Sequence, residues 1–193
     1  MNSHIHEAAT HQHRIRAVFL DCGDTLVDEG TEEKVGEVSL RASLIPGADA
    51  LMHALKARGY ALALVADGPA ATFRNNLGPY QLYDLFDAYA ISEEVGAHKP
   101  DAAMFLRALE QLAIPPAEYS RVVMVGNHLG RDIKGANALG LISVWLDWAP
   151  RRAKIPADAS EQPDFTINMP LELLEIIDRV EAGETMPKEH MGR

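Results

Sequence analysis

Five short, mainly apolar runs recur along the chain, each closing on a polar or glycine-bearing turn. They are Ala17-Val18-Phe19-Leu20, Tyr60 to Ala66, Ala88 to Ser92, Val122 to Val125 and Ile142 to Leu146. Runs of this length without period-two alternation are expected of strands covered on both faces. A shorter sixth run, Phe165-Thr166-Ile167, completes the set. Between them lie segments of helical period. Leu51, Ala54 and Leu55 follow Pro46-Gly47 and are closed by Gly59; Ala71 to Leu77 forms a shorter one. Phe105, Ala108, Leu109 and Leu112 stand at i, i+3, i+4 and i+7 behind Asp101, an expected N-cap. One segment ends near Gly140, and the last carries Leu173, Ile176, Ile177 and Val180 on one face. Alternating strands and helices predict a three-layer α/β/α, doubly wound parallel sheet. Its ligand site is expected beyond the carboxyl ends of the strands.

The remaining segments are polar. Residues 28–44 have few apolar positions, and 149–163 read as a proline-containing loop. Residues 1–14 and 183–193 are expected to be mobile tails around a single domain over 15–182. His4, His6, His11 and His13 fall in the first tail. Their spacing can chelate metal, but without Cys or carboxylate partners a solvated tail is the plainer expectation.

Composition narrows the classes of function. In 193 residues, 28 Asp and Glu outweigh 18 Lys and Arg, a formal charge of -10. Such a surface repels phosphate backbones and anionic lipid, so neither nucleic acid nor a membrane is an expected partner. Hydrophobic residues, at 47%, suffice for a core. The lone Cys22 permits no internal disulfide and fits a reducing cytoplasm. No secretory signal is expected at the N-terminus.

The chemistry gathers at the strand ends. The first strand runs into Asp21-Cys22-Gly23-Asp24-Thr25, the fourth into Gly126-Asn127 and, four residues on, Asp132. Carboxylate, amide and backbone oxygens are hard donors suited to Mg²⁺. Lys99, ahead of the Asp101 helix, adds the positive charge a phosphoryl group needs. A nucleophilic acid, a metal and a lysine make a plausible phosphoryl-transfer site.

On these residues the chain resembles the haloacid dehalogenase superfamily. Its members open with a strand ending Asp-x-Asp-x-Thr, place a Ser or Thr after the second strand, then Lys-Pro-Asp, then Gly-Asp-(x)₄-Asp-x-x-Gly-Ala. Here the segments read Asp21-Cys22-Gly23-Asp24-Thr25, Val65-Ala66-Asp67-Gly68, Lys99-Pro100-Asp101 and Gly126-Asn127-(x)₄-Asp132-Ile133-Lys134-Gly135-Ala136. The resemblance spans about residues 15–180 and implies a Rossmann-like fold. It implies Asp21 as the nucleophile that forms an aspartyl-phosphate, with Lys99 and Asp132 as catalytic partners. It implies Mg²⁺ held by Asp21, the Gly23 carbonyl, Asn127 and Asp132, and a phosphate pocket at Ala66, Asp67, Gly68 and Lys99.

Three positions depart from the phosphatase pattern. Gly23 stands where the family's acid/base aspartate sits, and Asp24 is one residue late. Ala66 replaces a hydroxyl, and Asn127 an aspartate. The resemblance therefore implies a Mg²⁺-dependent phosphatase with weakened acid/base catalysis, best suited to good leaving groups. Gly23→Asp is expected to raise turnover on poorer ones. The alternative is a phosphate-binding or regulatory domain on the same fold; a dehalogenase is a third reading. Residues 28–45 are too few for a cap domain, so the site is expected to be open. It would accept a phosphorylated small molecule or a bulky phosphorylated substrate, or be closed by a second copy in a homo-oligomer.

Overall fold

The computed structural model describes residues 13–184. His4, His6 and His11, with most of both expected tails, lie outside that range. Six strands build one parallel sheet: β1 (Ala17–Leu20), β4 (Ala61–Ala66), β5 (Ala88–Ile91), β6 (Val122–Gly126), β7 (Ile142–Leu146) and β8 (Phe165–Ile167). Their order across the sheet is β5-β4-β1-β6-β7-β8. β1 sits at the centre, pairing Leu20 with Leu64 on one side and with Val125 on the other. The order reverses there, with β4 leaving to one side and β6 to the other. This is the switch point where such sheets bind ligands.

Each strand serves two apolar layers, as side chains alternating across a pleat must. In β1, Val18 and Leu20 join a layer formed with α1 (Ala48–Ala57), α2 (Ala70–Leu77) and α6 (Leu173–Glu181). Ala17 and Phe19 join the opposite layer, with α4 (Ala102–Gln111) and α5 (Lys134–Leu139). A single helical turn, α3 (Ser92–Val95), follows β5. This is the expected three-layer α/β/α architecture. Asp101 caps α4 by accepting the Ala103 N–H at 2.9 Å.

The polar stretch after β1 is not an irregular loop. It folds into an antiparallel hairpin of β2 (Val27–Val35) and β3 (Val38–Leu44), turning at Gly36, whose φ is +60°. A two-stranded ribbon is marginal alone, and α2 supplies the missing support through polar contacts. Ser39 donates its N–H to Thr72 Oγ1 (3.0 Å) and its hydroxyl to Asn76 Oδ1 (2.8 Å). Asn75 Nδ2 donates to Ser39 O at 2.9 Å. Ser39 and Asn76 are buried, so the hairpin is bolted to the domain by satisfied polar groups.

The end of the first expected tail is also held down. His13 Nε2 is 3.0 Å from Arg58 O, and Arg14 N donates to Glu181 at 2.7 Å. Among the described residues no helix is long and apolar enough to cross a membrane.

Candidate active site

The strand ends β1, β4 and β6 surround a cavity of about 200 Å³, edged on its open side by the hairpin. At its base lies Lys99. Its ammonium is 2.8 Å from Asp21 Oδ1, 2.6 Å from Asp132 Oδ1 and 2.9 Å from Val65 O. All three of its protons are thus directed, and its side chain is 2% exposed. Burial alone would lower the Lys99 pKa, but Asp132 and Asp21 outweigh it and hold the ammonium charged. Burial pushes the Asp132 pKa up against the pull of Lys99. One ammonium serves two carboxylates here, so the ionised triad keeps an uncompensated negative charge.

The backbone explains this convergence. β1 delivers Asp21 directly at its end, where Asp21 N donates to Val125 O of β6 at 3.0 Å. Thr25 Oγ1 donates to Asp21 Oδ2 at 3.4 Å. After β6 the chain makes a π turn, Leu129–Ile133, that carries Asp132 back against the strand end. A Cβ on Gly126 would lie 2.2 Å from Asp132 Cγ, so only glycine admits that approach. Asp132 Oδ2 accepts the His128 N–H at 2.9 Å. Asp67 Oδ1 accepts the Lys99 N–H at 3.0 Å, fixing the start of the lysine segment.

The structure brings Asp21, Lys99, Asp132, Gly23 and Asn127 together, with Asn127 Nδ2 donating to Gly23 O at 2.9 Å. Of the other expected positions, Asp67, Gly68 and Asp132 line the cavity. Ala66 packs its methyl into the apolar layer. The Gly68 N–H is taken by Ser92 Oγ at 2.9 Å. Asp67 lines the cavity, accepting the Lys99 N–H at 3.0 Å and Arg131 Nη1 at 3.4 Å, and so braces the lysine segment. Both oxygens of Asp132 are engaged, one by the Lys99 ammonium and one by the His128 N–H, and it is buried at the base of the cavity.

Asp24 turns away from the cavity. Its φ of 52° is left-handed, a conformation Asp tolerates better than most residues. Its buried carboxylate is clamped by Arg151 and by Arg152 Nε at 3.0 Å, and it accepts the Glu29 N–H at 3.2 Å. Cys22 points into the apolar layer, as alternation from Asp21 requires, and burial raises its thiol pKa well above the usual range.

Two further residues line the cavity, of which Glu29 was not visible in the sequence. Glu29, on β2, lines the cavity, and its Oε2 pairs with Arg152. Burial first, then Asp24, Asp21 and Glu32, push its pKa up, against Arg152. His128 lines the same cavity, with Nδ1 buried and lacking a hydrogen-bond partner among the described residues. Burial, then Arg131 and Arg152, hold its pKa below the usual value.

Comparison with known proteins bears on the family of the chain. A family model described as haloacid dehalogenase-like hydrolase matches residues 21–146. The chain is 32% identical over 123 residues to a glyceraldehyde 3-phosphate phosphatase of Methanopyrus kandleri, covering 64% of this chain and 52% of that protein. It is 35% identical over 127 residues to a phosphoserine phosphatase of Thermus thermophilus, covering 66% and 48%. The chain therefore spans about half the length of these curated relatives. Among solved structures, a phosphatase from Thermococcus onnurineus superposes with a TM-score of 0.61 at 29% identity, over 70% of this chain and 59% of that one.

Proposed function

From the membership of this chain in the haloacid dehalogenase-like hydrolase family, we propose that it is a phosphohydrolase whose nucleophile is Asp21. The observation that carries this reading is the buried ammonium of Lys99 bridging Asp21 and Asp132 at the base of an open cavity. Lys99 tethers one oxygen of Asp21, leaving Oδ2, which the Thr25 hydroxyl contacts only at long range, to approach phosphorus. The same ammonium offsets charge on the transferring group. Asp132 and Val65 O fix the lysine, so its orientation is set before substrate arrives.

Mg²⁺ fits the donor chemistry. The Asp21 carboxylate, the Gly23 carbonyl and the Asn127 side-chain oxygen are hard donors, and the triad's uncompensated negative charge favours a cation. Among the described residues no cluster of three or more His, Cys, Asp or Glu is arranged to hold a metal. A cation here would therefore rely on the backbone and the amide as well as Asp21. When bound, it would draw charge from the phosphoryl oxygens.

The relatives named as phosphatases of glyceraldehyde 3-phosphate and phosphoserine support a phosphorylated small molecule as substrate. A cavity of about 200 Å³ suits a phosphoryl group with a compact leaving group. A second reading, phosphate binding without turnover, draws on Ala66, whose side chain offers no hydrogen bond. The test is Mg²⁺-dependent phosphate release from acetyl phosphate and p-nitrophenyl phosphate, with Asp21→Asn alongside. Release that needs both Mg²⁺ and Asp21 supports the enzyme. Folded protein that releases none from either compound supports the binding domain.

A further inference from the structure

We propose that Glu29 is the proton donor to the leaving group at this site, a catalytic residue that the hairpin supplies to a strand end lacking one of its own. The inference rests on the reading of Asp21 as phosphoryl acceptor. A Cβ built on Gly23 would lie 2.0 Å from Glu29 Oε1 and 2.8 Å from its Cδ. The Glu29 carboxyl group thus occupies the space that a side chain on residue 23, two positions past Asp21, would fill. It enters from β2 rather than from β1, and it borders the same cavity as Asp21.

The other acidic groups near the cavity have different attachments. Asp132 is fully buried with both oxygens engaged. Asp24 is clamped by Arg151 and Arg152. Asp67 is held by the Lys99 N–H and Arg131. Glu32 accepts from Asn76 Nδ2 at 3.3 Å and pairs with Lys34 at 2.6 Å. Glu37 is exposed in the hairpin's turn. Glu29 alone combines a half-buried carboxyl group, an anchor on one oxygen (Arg152 at Oε2) and a second oxygen, Oε1, with no partner among the described residues. An anchored carboxyl with one oxygen unengaged is what delivery of a proton to a substrate atom requires.

The chemistry closes without a further reactant. As Asp21 bonds phosphorus, the bond from phosphorus to the leaving oxygen breaks. That oxygen takes the Glu29 proton and departs as the alcohol, leaving a carboxylate. Water then bonds phosphorus as the bond to Asp21 breaks, and gives its proton to Glu29. Asp21 and the protonated Glu29 are regenerated, and inorganic phosphate leaves.

The experiment compares kcat/KM for acetyl phosphate, p-nitrophenyl phosphate and phenyl phosphate, with Mg²⁺ present, in wild type and Glu29→Gln. Acetate and nitrophenolate depart without a proton, whereas phenolate gains most from one. Glu29→Gln is expected to lower phenyl phosphate hydrolysis by about 10²–10⁴-fold, with a far smaller loss on acetyl phosphate. Glu29→Asp, which keeps the charge but withdraws it by one methylene, should show the same selectivity in weaker form. Gly23→Asp combined with Glu29→Ala should restore much of the phenyl phosphate rate, since removing the Glu29 carboxyl clears the space that the new one enters. Equal losses on all three compounds, or none, overturn the role of Glu29. Hydrolysis that survives Asp21→Asn overturns the nucleophile instead, and no turnover by wild type overturns both.

Discussion

The carboxylate of Asp132 lies 2.6 Å from the ammonium of Lys99, and its other oxygen is closed off by the His128 N–H. Under the proposed function, Asp132 would act on the reaction through Lys99. Removing either partner has a direct cost. Lys99→Met strands two carboxylates in the site, Asp132 fully buried and Asp21 nearly so, and breaking a buried pair in this way costs about 3–5 kcal/mol. Asp132→Asn is milder, because an amide still accepts the His128 N–H and Lys99 keeps Asp21 and Val65 O. Urea unfolding should give a midpoint order of wild type, then Asp132→Asn, then Lys99→Met. Phosphate release should be lost in Lys99→Met and reduced in Asp132→Asn. A Lys99→Met protein as stable as wild type would remove the charge argument.

Asp24 offers a contrast. Its carboxylate is buried but faces Arg151 and Arg152, not the cavity. Asp24→Asn is expected to destabilise the domain by about 1.5–3 kcal/mol, the scale of hydrogen bonds to charged groups. It should also loosen the loop over 149–163 that carries both arginines. Limited proteolysis would then cut that loop faster in the variant. If Asp24 were itself the acid, its variant would show the selective loss on phenyl phosphate expected of Glu29→Gln, with loop protection unchanged.

The seat of the hairpin on α2 gives a third prediction. Asn76 is buried, accepts the Ser39 hydroxyl at 2.8 Å and donates to Glu32 at 3.3 Å. Asn76→Ala leaves the buried Ser39 hydroxyl without its acceptor, a cost of about 1–3 kcal/mol. Because β2 and β3 are held mainly through α2, the loss should be local. Amide exchange should rise across 27–44 while β1, β4 and β6 keep their protection. Uniform loss of protection would mean that the hairpin is no separate unit.

These cases show what was legible in the sequence. The sheet was, because continuous apolar runs such as Ala17 to Leu20 have few alternatives when both faces must be covered. The helices on both faces followed from the period of residues such as Phe105 and Leu109. The meeting of Asp21 with Lys99 followed from their places at strand ends and from the family resemblance. The hairpin was not legible, because Ser39 and Asn76 fix it with hydrogen bonds and polar residues carry little periodic signal. Nor was the pairing of Glu29 with Arg152 or of Asp24 with Arg151, since such contacts join segments more than 120 residues apart. The resemblance implied Asp132 as a partner of Lys99 and of a metal; how it reaches Lys99, through the close approach at Gly126 and the path of the π turn, was not legible.

Glu181 ties the start of the described chain to its last helix, and this makes acid stability a test of the join. Its carboxylate accepts the Arg14 and Ile15 N–H groups at 2.7 and 3.2 Å and the Tyr60 hydroxyl at 3.0 Å. Burial works to raise its pKa, but these donors outweigh burial and leave it lowered. A carboxylate whose folded pKa lies below its unfolded value, about 4.3 for Glu, adds stability above that unfolded value. The contribution fades as pH falls through the folded one. Glu181→Gln removes the charge yet keeps an acceptor oxygen. At pH 7 it should cost about 1 kcal/mol, or about 2–4 °C in Tm, since the site is partly screened by solvent. Below about pH 4 the wild type loses the same charge by protonation, so the two melting curves should converge there. Thermal melts of both proteins from pH 7 to pH 3 measure this directly. A gap that stays constant over that range would show that the carboxylate's charge contributes nothing to the join.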